Sequence, residues 1–160
     1  MMIFTRKEIK SLLDIYTDGS TKGNGKSGSH GGWSYVIVVD GELDCYDCGK
    51  AAPTTNQKME LTAAIKACQF ICPNPKDNFT PITIYSDSAY LINCYKQNWW
   101  RNWERNGWRN SKNEPVANRE LWEQLIPYFE TTSISWKKVQ GHAGNYFNEM
   151  ADRLAKGEEI

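Results

Sequence analysis

The chain has 160 residues and a mass of 18.4 kDa, enough for one ordinary domain and too little for two. Apolar residues make up 40% and charged residues 24%, which excludes a disordered or low-complexity chain, and no run of about 18 apolar residues is present to span a membrane. The 19 basic and 19 acidic residues cancel, which excludes a generic polycation that coats nucleic acid but not an acidic pocket set beside a basic face.

Residues 1–11 read as a short, basic N-terminal extension, and residues 12–160 as a single domain. The start lacks the apolar stretch and small-residue cleavage site of a secretory signal, so a cytoplasmic protein is expected. Leu12 to Asp18 has the character of a strand ending at Gly19. Residues 19–32 hold six glycines and predict a long flexible turn. Trp33 to Val39 is a second strand, Asp40-Gly41 a hairpin signal, and residues 42–50 a third strand, together an antiparallel meander. From 54 to 72 the period changes. Leu61, Ala64, Ile65, Cys68 and Ile71 follow helical spacing, with Thr54 and Gln57 matching a capping box and Pro73 and Pro75 stopping the helix. Pro81 to Asp87 is a fourth strand. A helix between strands favours a parallel crossover onto the same sheet. Ser88 to Tyr95 is helical, and a Trp-rich segment runs on to 109. Asn118 to Phe129 is a helix that Pro127 should break late, Ser133 to Val139 a fifth strand, and 145–157 a final helix.

Five cysteines, an odd count, point to reduced thiols. Cys45 and Cys48 form a CxxC, but no second ligand pair follows at zinc-site spacing, so a structural reading is favoured. Cys68, Cys72 and Cys94 fall in helix-like stretches as small apolar residues.

One internal echo carries chemistry. Strand one ends Tyr16-Thr17-Asp18-Gly19 and strand four ends Tyr85-Ser86-Asp87-Ser88. If the two strands are parallel neighbours, period-2 alternation gives both aspartates the same facing rule, at the sheet edge where ligands bind. Turn preference alone also puts Asp at strand ends. Glu60, at the edge of the apolar stripe of the first long helix, and Asp152, in the last helix, are further candidates. Four converging carboxylates make a hard oxygen cage suited to Mg²⁺, and two such ions roughly 4 Å apart can hydrolyse a phosphodiester. Periodicity does not select these four from 19 acids.

YTDGS at 16–20, TTNQKMEL at 54–61, YSDS at 85–88 and GHAGNxxNEMAD at 141–152 resemble, in order and over nearly the whole chain, the successive motifs of type 1 ribonuclease H. The resemblance implies an α/β fold with a five-stranded mixed sheet, order 3-2-1-4-5, flanked by helices. It implies cleavage of the RNA strand of an RNA/DNA hybrid by two metal ions, Mg²⁺ with Mn²⁺ as a substitute, leaving 3′-hydroxyl and 5′-phosphate ends. The metal-binding acids map onto Asp18, Glu60, Asp87 and Asp152, and a loop histidine assisting proton transfer or product release onto His142. Gly19, Ser20 and Asn24 would border the RNA, Asn56 and Gln57 would reach the minor groove, and Ser88 would lie beside the metals. Thr55 and Asn102 would hold a DNA phosphate, and Trp99 and Trp103 would lie near the DNA strand. Residues 96–119 carry a net four positive charges among four tryptophans and resemble the family's basic protrusion. Pro53, Glu104 and Asn106 stand where relatives often carry basic residues, so a weaker grip is expected. A monomer is expected. The competing readings are another metal nuclease of the same fold, a silent hybrid-binding module and a detached reverse-transcriptase domain.

Overall fold

The computed structural model describes residues 12–139 and 145–160. Three antiparallel strands open the fold: β1 (Leu13–Lys22), β2 (His30–Val39) and β3 (Glu42–Ala51). Asp40 and Gly41 both take positive φ, 50° and 83°, which is what a two-residue hairpin with the twist of its strands requires. After α1 (Asn56–Ile71) the chain returns as β4 (Ile82–Ser86), parallel to β1. Then come α2 (Ala89–Lys96), α3 (Trp99–Asn106), α4 (Arg119–Phe129), β5 (Ile134–Lys138) parallel to β4, and α5 (Tyr146–Ala155). The sheet order is β3-β2-β1-β4-β5, as the resemblance implies.

Both faces of the sheet are covered, so its central strands read as continuous apolar runs. Ile15, Ile37 and Ile84 pack with Leu61 and Ile65 of α1, Leu91 of α2, and Trp122 and Leu125 of α4. The alternate residues Tyr16, Val36 and Val38 pack with Met150, Ala151 and Leu154 of α5. β3 forms one edge of the sheet, pairs with β2 alone, and exposes Glu42, Asp44 and Asp47 beside Asp40 of the hairpin. Charge on an exposed edge discourages strand pairing between molecules.

Three expectations need correction. The turn expected over 19–32 shrinks to residues 23–29, because Gly19 to Lys22 pairs with Trp33 to His30. Gly31 and Gly32 are there for close packing: a Cβ at Gly31 would strike the Ser20 carbonyl, and one at Gly32 the Ala155 carbonyl. The helix cap is Thr55, whose Oγ1 accepts from Lys58 N–H at 3.1 Å, and not Thr54. Pro127 does not break α4. It sits in the last turn, which closes beyond it with Glu130 N–H donating to Ile126 C=O at 3.0 Å.

All five cysteines are free thiols. Cys45 and Cys48, three apart on a strand, point to opposite faces and cannot grip one ion together.

Candidate active site

The Tyr-x-Asp echo becomes geometry in the parallel register. Tyr16 lies opposite Tyr85, and their rings stack 4.8 Å apart at 11°. The ladder ends there, and the buried Thr17 hydroxyl extends it by donating to Tyr85 C=O at 3.1 Å. Asp18 and Asp87, each two residues farther, therefore leave the sheet at one place. After β4 the turn is fixed by Ser88 N–H donating to Ser86 Oγ at 3.1 Å.

Glu60 reaches the same place from α1. Gly19 makes this possible, since any Cβ there would overlap the backbone of Met59 and Glu60. Asp18, Glu60 and Asp87 each offer one carboxylate oxygen, and these oxygens lie within 4.8 Å of one another. Asp18 is buried and Asp87 exposed. Glu60 keeps some exposure as a residue, but its Oε2 is fully enclosed and has no hydrogen-bond partner.

Burial, then the charges of Asp87 and Asp152, push the Asp18 carboxyl up to about 8. Burial, then the charges of Asp18 and Asp87, also raise Glu60 well above the usual carboxylate range. Without a cation, this cluster retains protons at neutral pH.

Asp152 arrives on α5, near enough for its charge to raise the Asp18 carboxyl, but it stands outside the close trio. Its Oδ2 pairs with Lys156 Nζ at 2.9 Å, one helical turn on. α5 itself is seated on β2. The buried Ser34 hydroxyl donates to Ala151 C=O, next to Asp152, and Gly32 lets the Ala155 carbonyl approach. Ser34 is also the strand partner of Asp18, so one residue of β2 faces both carboxylates' anchoring points.

The donor set is all carboxylate oxygen, partly buried and self-repelling, with one enclosed oxygen lacking a partner. It fits a hard divalent cation such as Mg²⁺.

A family model described as RNase H matches residues 10–159. A ribonuclease H of Syntrophomonas wolfei is 46% identical over 142 residues, covering 89% of this chain and 92% of the relative. One from Moorella thermoacetica is 40% identical over 144 residues, with 90% and 89% covered. The solved structure of LC9-RNase H1, a type 1 RNase H with the type 2 active-site motif, superposes with a TM-score of 0.70 at 25% identity, covering 94% of this chain and 74% of that one.

The chain belongs to the ribonuclease H family. It is an endonucleolytic hydrolase of that class. The fold is also shared with the foamy viral protease-reverse transcriptase solved with double-stranded DNA, TM-score 0.75 at 23% identity, with 92% and 93% of the two chains covered.

The remaining positions implied by the family divide into two groups. Beside the carboxylates, Asn56 N–H donates to Asn24 Oδ1 at 2.9 Å, and Thr21 Oγ1 donates to Asn56 Oδ1 at 2.7 Å. Gln57 follows on the exposed start of α1, while Thr55 is half-buried as the cap, and Ser20 lies on β1. Ser88 is committed to capping α2, its Oγ accepting from Leu91 N–H at 3.1 Å.

The second group is the Trp-rich protrusion. Trp100 and Trp108 are buried, and Trp103 packs 5.6 Å from Trp108 and 5.5 Å from Trp122, between ring centres. Trp99 is half-buried, 6.3 Å from Trp103, and Asn102 is exposed beside them. Arg101 lies over Trp100 at 4.9 Å and Arg119 over Trp108 at 4.8 Å. His142 lies outside the described residues. Sequence reasoning did not name Lys156 or Ser34. The i, i+4 spacing of Asp152 and Lys156 is a legible signal for the first, and nothing local signals the second.

Proposed function

We propose that Asp18, Glu60, Asp87 and Asp152 hold two Mg²⁺ ions, with Mn²⁺ as a substitute, and that residues 12–160 act as one catalytic domain, monomeric and cytoplasmic. The observation that carries this reading is the enclosed, partnerless Glu60 Oε2 within a trio of carboxylates whose oxygens lie within 4.8 Å. Bound there, the ions supply a water that is nucleophilic at neutral pH and a positive charge for the leaving oxygen. The chain's own part is to set the four carboxylates on two strand ends and two helices before the substrate arrives. Asp87, the exposed member, faces the incoming phosphate, and buried Asp18 joins Glu60 on one side to Asp152 on the other. His142 takes or gives a proton at the product side, a role that imidazoles serve near neutral pH. Among the described residues, no helix is long and apolar enough to cross a membrane.

Substrate choice follows from the ribose. A 2′-hydroxyl donates and accepts, and lies in the wide minor groove of an A-like duplex. Gly19, Ser20, Asn24, Asn56 and Gln57 read the RNA strand there, with Ser88 beside the metals. Thr55 and Asn102 hold a phosphate of the DNA strand, Trp103 lies near that strand, and Trp99 lies against a deoxyribose, where an added hydroxyl would crowd the ring.

A labelled RNA/DNA hybrid with Mg²⁺ tests this. The RNA strand should be cut rapidly, with duplex DNA and duplex RNA both poor substrates and all cutting abolished by a chelator. Deoxyriboses placed around one scissile bond should silence that bond and spare distant ones. Equal cutting of all three duplexes would replace this reading with that of a general metal nuclease.

A further inference from the structure

The loop joining β1 to β2, residues 23–29, carries three glycines, and Ser29 is its one buried residue, 1% exposed. Two tight turns form it, with Lys26 N–H donating to Gly23 C=O at 2.7 Å and Ser29 N–H to Lys26 C=O at 2.9 Å. The Ser29 hydroxyl then meets both main-chain groups of one residue, Thr54. It accepts from Thr54 N–H at 3.0 Å and donates to Thr54 C=O at 3.1 Å. The same carbonyl accepts from Gly25 N–H at 3.0 Å. Thr54 is itself buried and leads directly into Thr55, the cap of α1, and Asn56. One hydroxyl therefore joins the glycine loop to the helix start, and Asn24 is held where its Oδ1 receives Asn56 N–H.

We propose that Ser29 is a positioning residue for the RNA strand, locking Asn24 and Asn56 into one preformed surface. This rests on the proposed function, in which those two asparagines border the substrate. A loop this rich in glycine has many conformations to lose, and a loop ordered before binding does not charge that loss against affinity. The carboxylates are positioned elsewhere, by the β1–β4 register and by Gly19 against α1, so Ser29 acts on binding and not on the bond-breaking step.

The experiment is steady-state cleavage of a short hybrid by Ser29→Ala, Asn24→Ala and the double variant, with amide hydrogen exchange on each protein. Ser29→Ala should raise KM about tenfold and leave kcat within about twofold. In the Asn24→Ala background it should change KM by less than about twofold, because the two act through one contact. The Gly25 and Asn56 amides should exchange faster. A parental KM, a loss confined to kcat, or full additivity with Asn24→Ala would overturn the proposal. Ser29→Cys, which leaves no void but weakens both hydrogen bonds, carries the same expectation where Ser29→Ala does not fold. The exchange data separate this proposal from the substrate reading. Unchanged exchange at Gly25 refutes the clamp whatever the enzyme cuts, whereas faster exchange in a chain that cuts no hybrid supports the clamp and refutes the substrate reading.

Discussion

The carboxylate cluster and the tryptophan protrusion are built on opposite terms. At the cluster, Asp18, Glu60 and Asp87 crowd like charges into a partly buried space, and burial and repulsion together raise the carboxyls of Asp18 and Glu60. Until a cation arrives, that burial and repulsion count against the folded chain. At the protrusion, Trp100, Trp103 and Trp108 pack into the core beside Trp122 and Phe129, and Arg101 and Arg119 lie over the rings of Trp100 and Trp108. Here the same side chains hold the fold and present the charge. One region lowers stability to keep a reactive site, while the other shares its residues between stability and binding, so substitutions in the two should separate activity from stability in opposite directions.

The sharpest break is Asp87→Asn, which keeps the shape and removes one charge from the trio. Hydrolysis at matched Mg²⁺ should fall by at least about a thousandfold, and the metal-free melting temperature should rise as repulsion is relieved. Near-normal cleavage would remove Asp87 from the catalytic set. The reverse case is Trp122→Ala. Trp122 is fully buried, 5.0 Å from the Tyr90 ring, and its Nε1 donates to the Tyr90 hydroxyl at 3.2 Å. A loss of about 3–5 kcal/mol in denaturant unfolding is expected, with kcat little changed in the fraction that folds.

A subtler test uses pH. Asp18 and Glu60 have raised pKa values in the folded chain, so between about pH 4 and pH 8 the native state binds more protons than the unfolded state. Metal-free stability should therefore fall as pH rises through that window, with a slope of up to about 1.4 kcal/mol per pH unit per proton. Saturating Mg²⁺ should flatten the slope, and a flat metal-free profile would contradict the raised values. Smallest is the effect of replacing Arg101, Arg105 and Arg109 with Ala. All three are exposed, and the plot of log K against log salt should become shallower by up to about 0.9 for each phosphate no longer neutralised, with KM moving more than kcat.

How much of this was legible depends on whether a signal is local. The paired Tyr-x-Asp strand ends were readable because strand period fixes facing, and the register of Tyr16 on Tyr85 bears that out. Choosing Glu60 and Asp152 was another matter: periodicity offered many acids, and the resemblance to the family made the choice. Glycines misled at 19–22 and 30–32, since the sequence does not distinguish a glycine that bends from one that lets two backbones touch. Adjacent threonines hid which one caps α1, because the decision lies with Ser29, which occupies the Thr54 backbone from 25 residues away. Ser34 holding Ala151 spans 117 residues and leaves no local trace.

The acidic edge at β3 bears on a stage that precedes any touch between enzyme and duplex. Its exposed Asp40, Glu42, Asp44 and Asp47 lie at one end of the strand order, while α2, packed on β4 and β5, leads into the basic protrusion at the other. Among the described residues, opposite charges are thereby set at the two ends of the sheet in a chain of zero net charge. A duplex drifting in feels no overall pull, but it feels a torque: its phosphates are turned away from β3 and towards the protrusion, so that collisions begin already oriented.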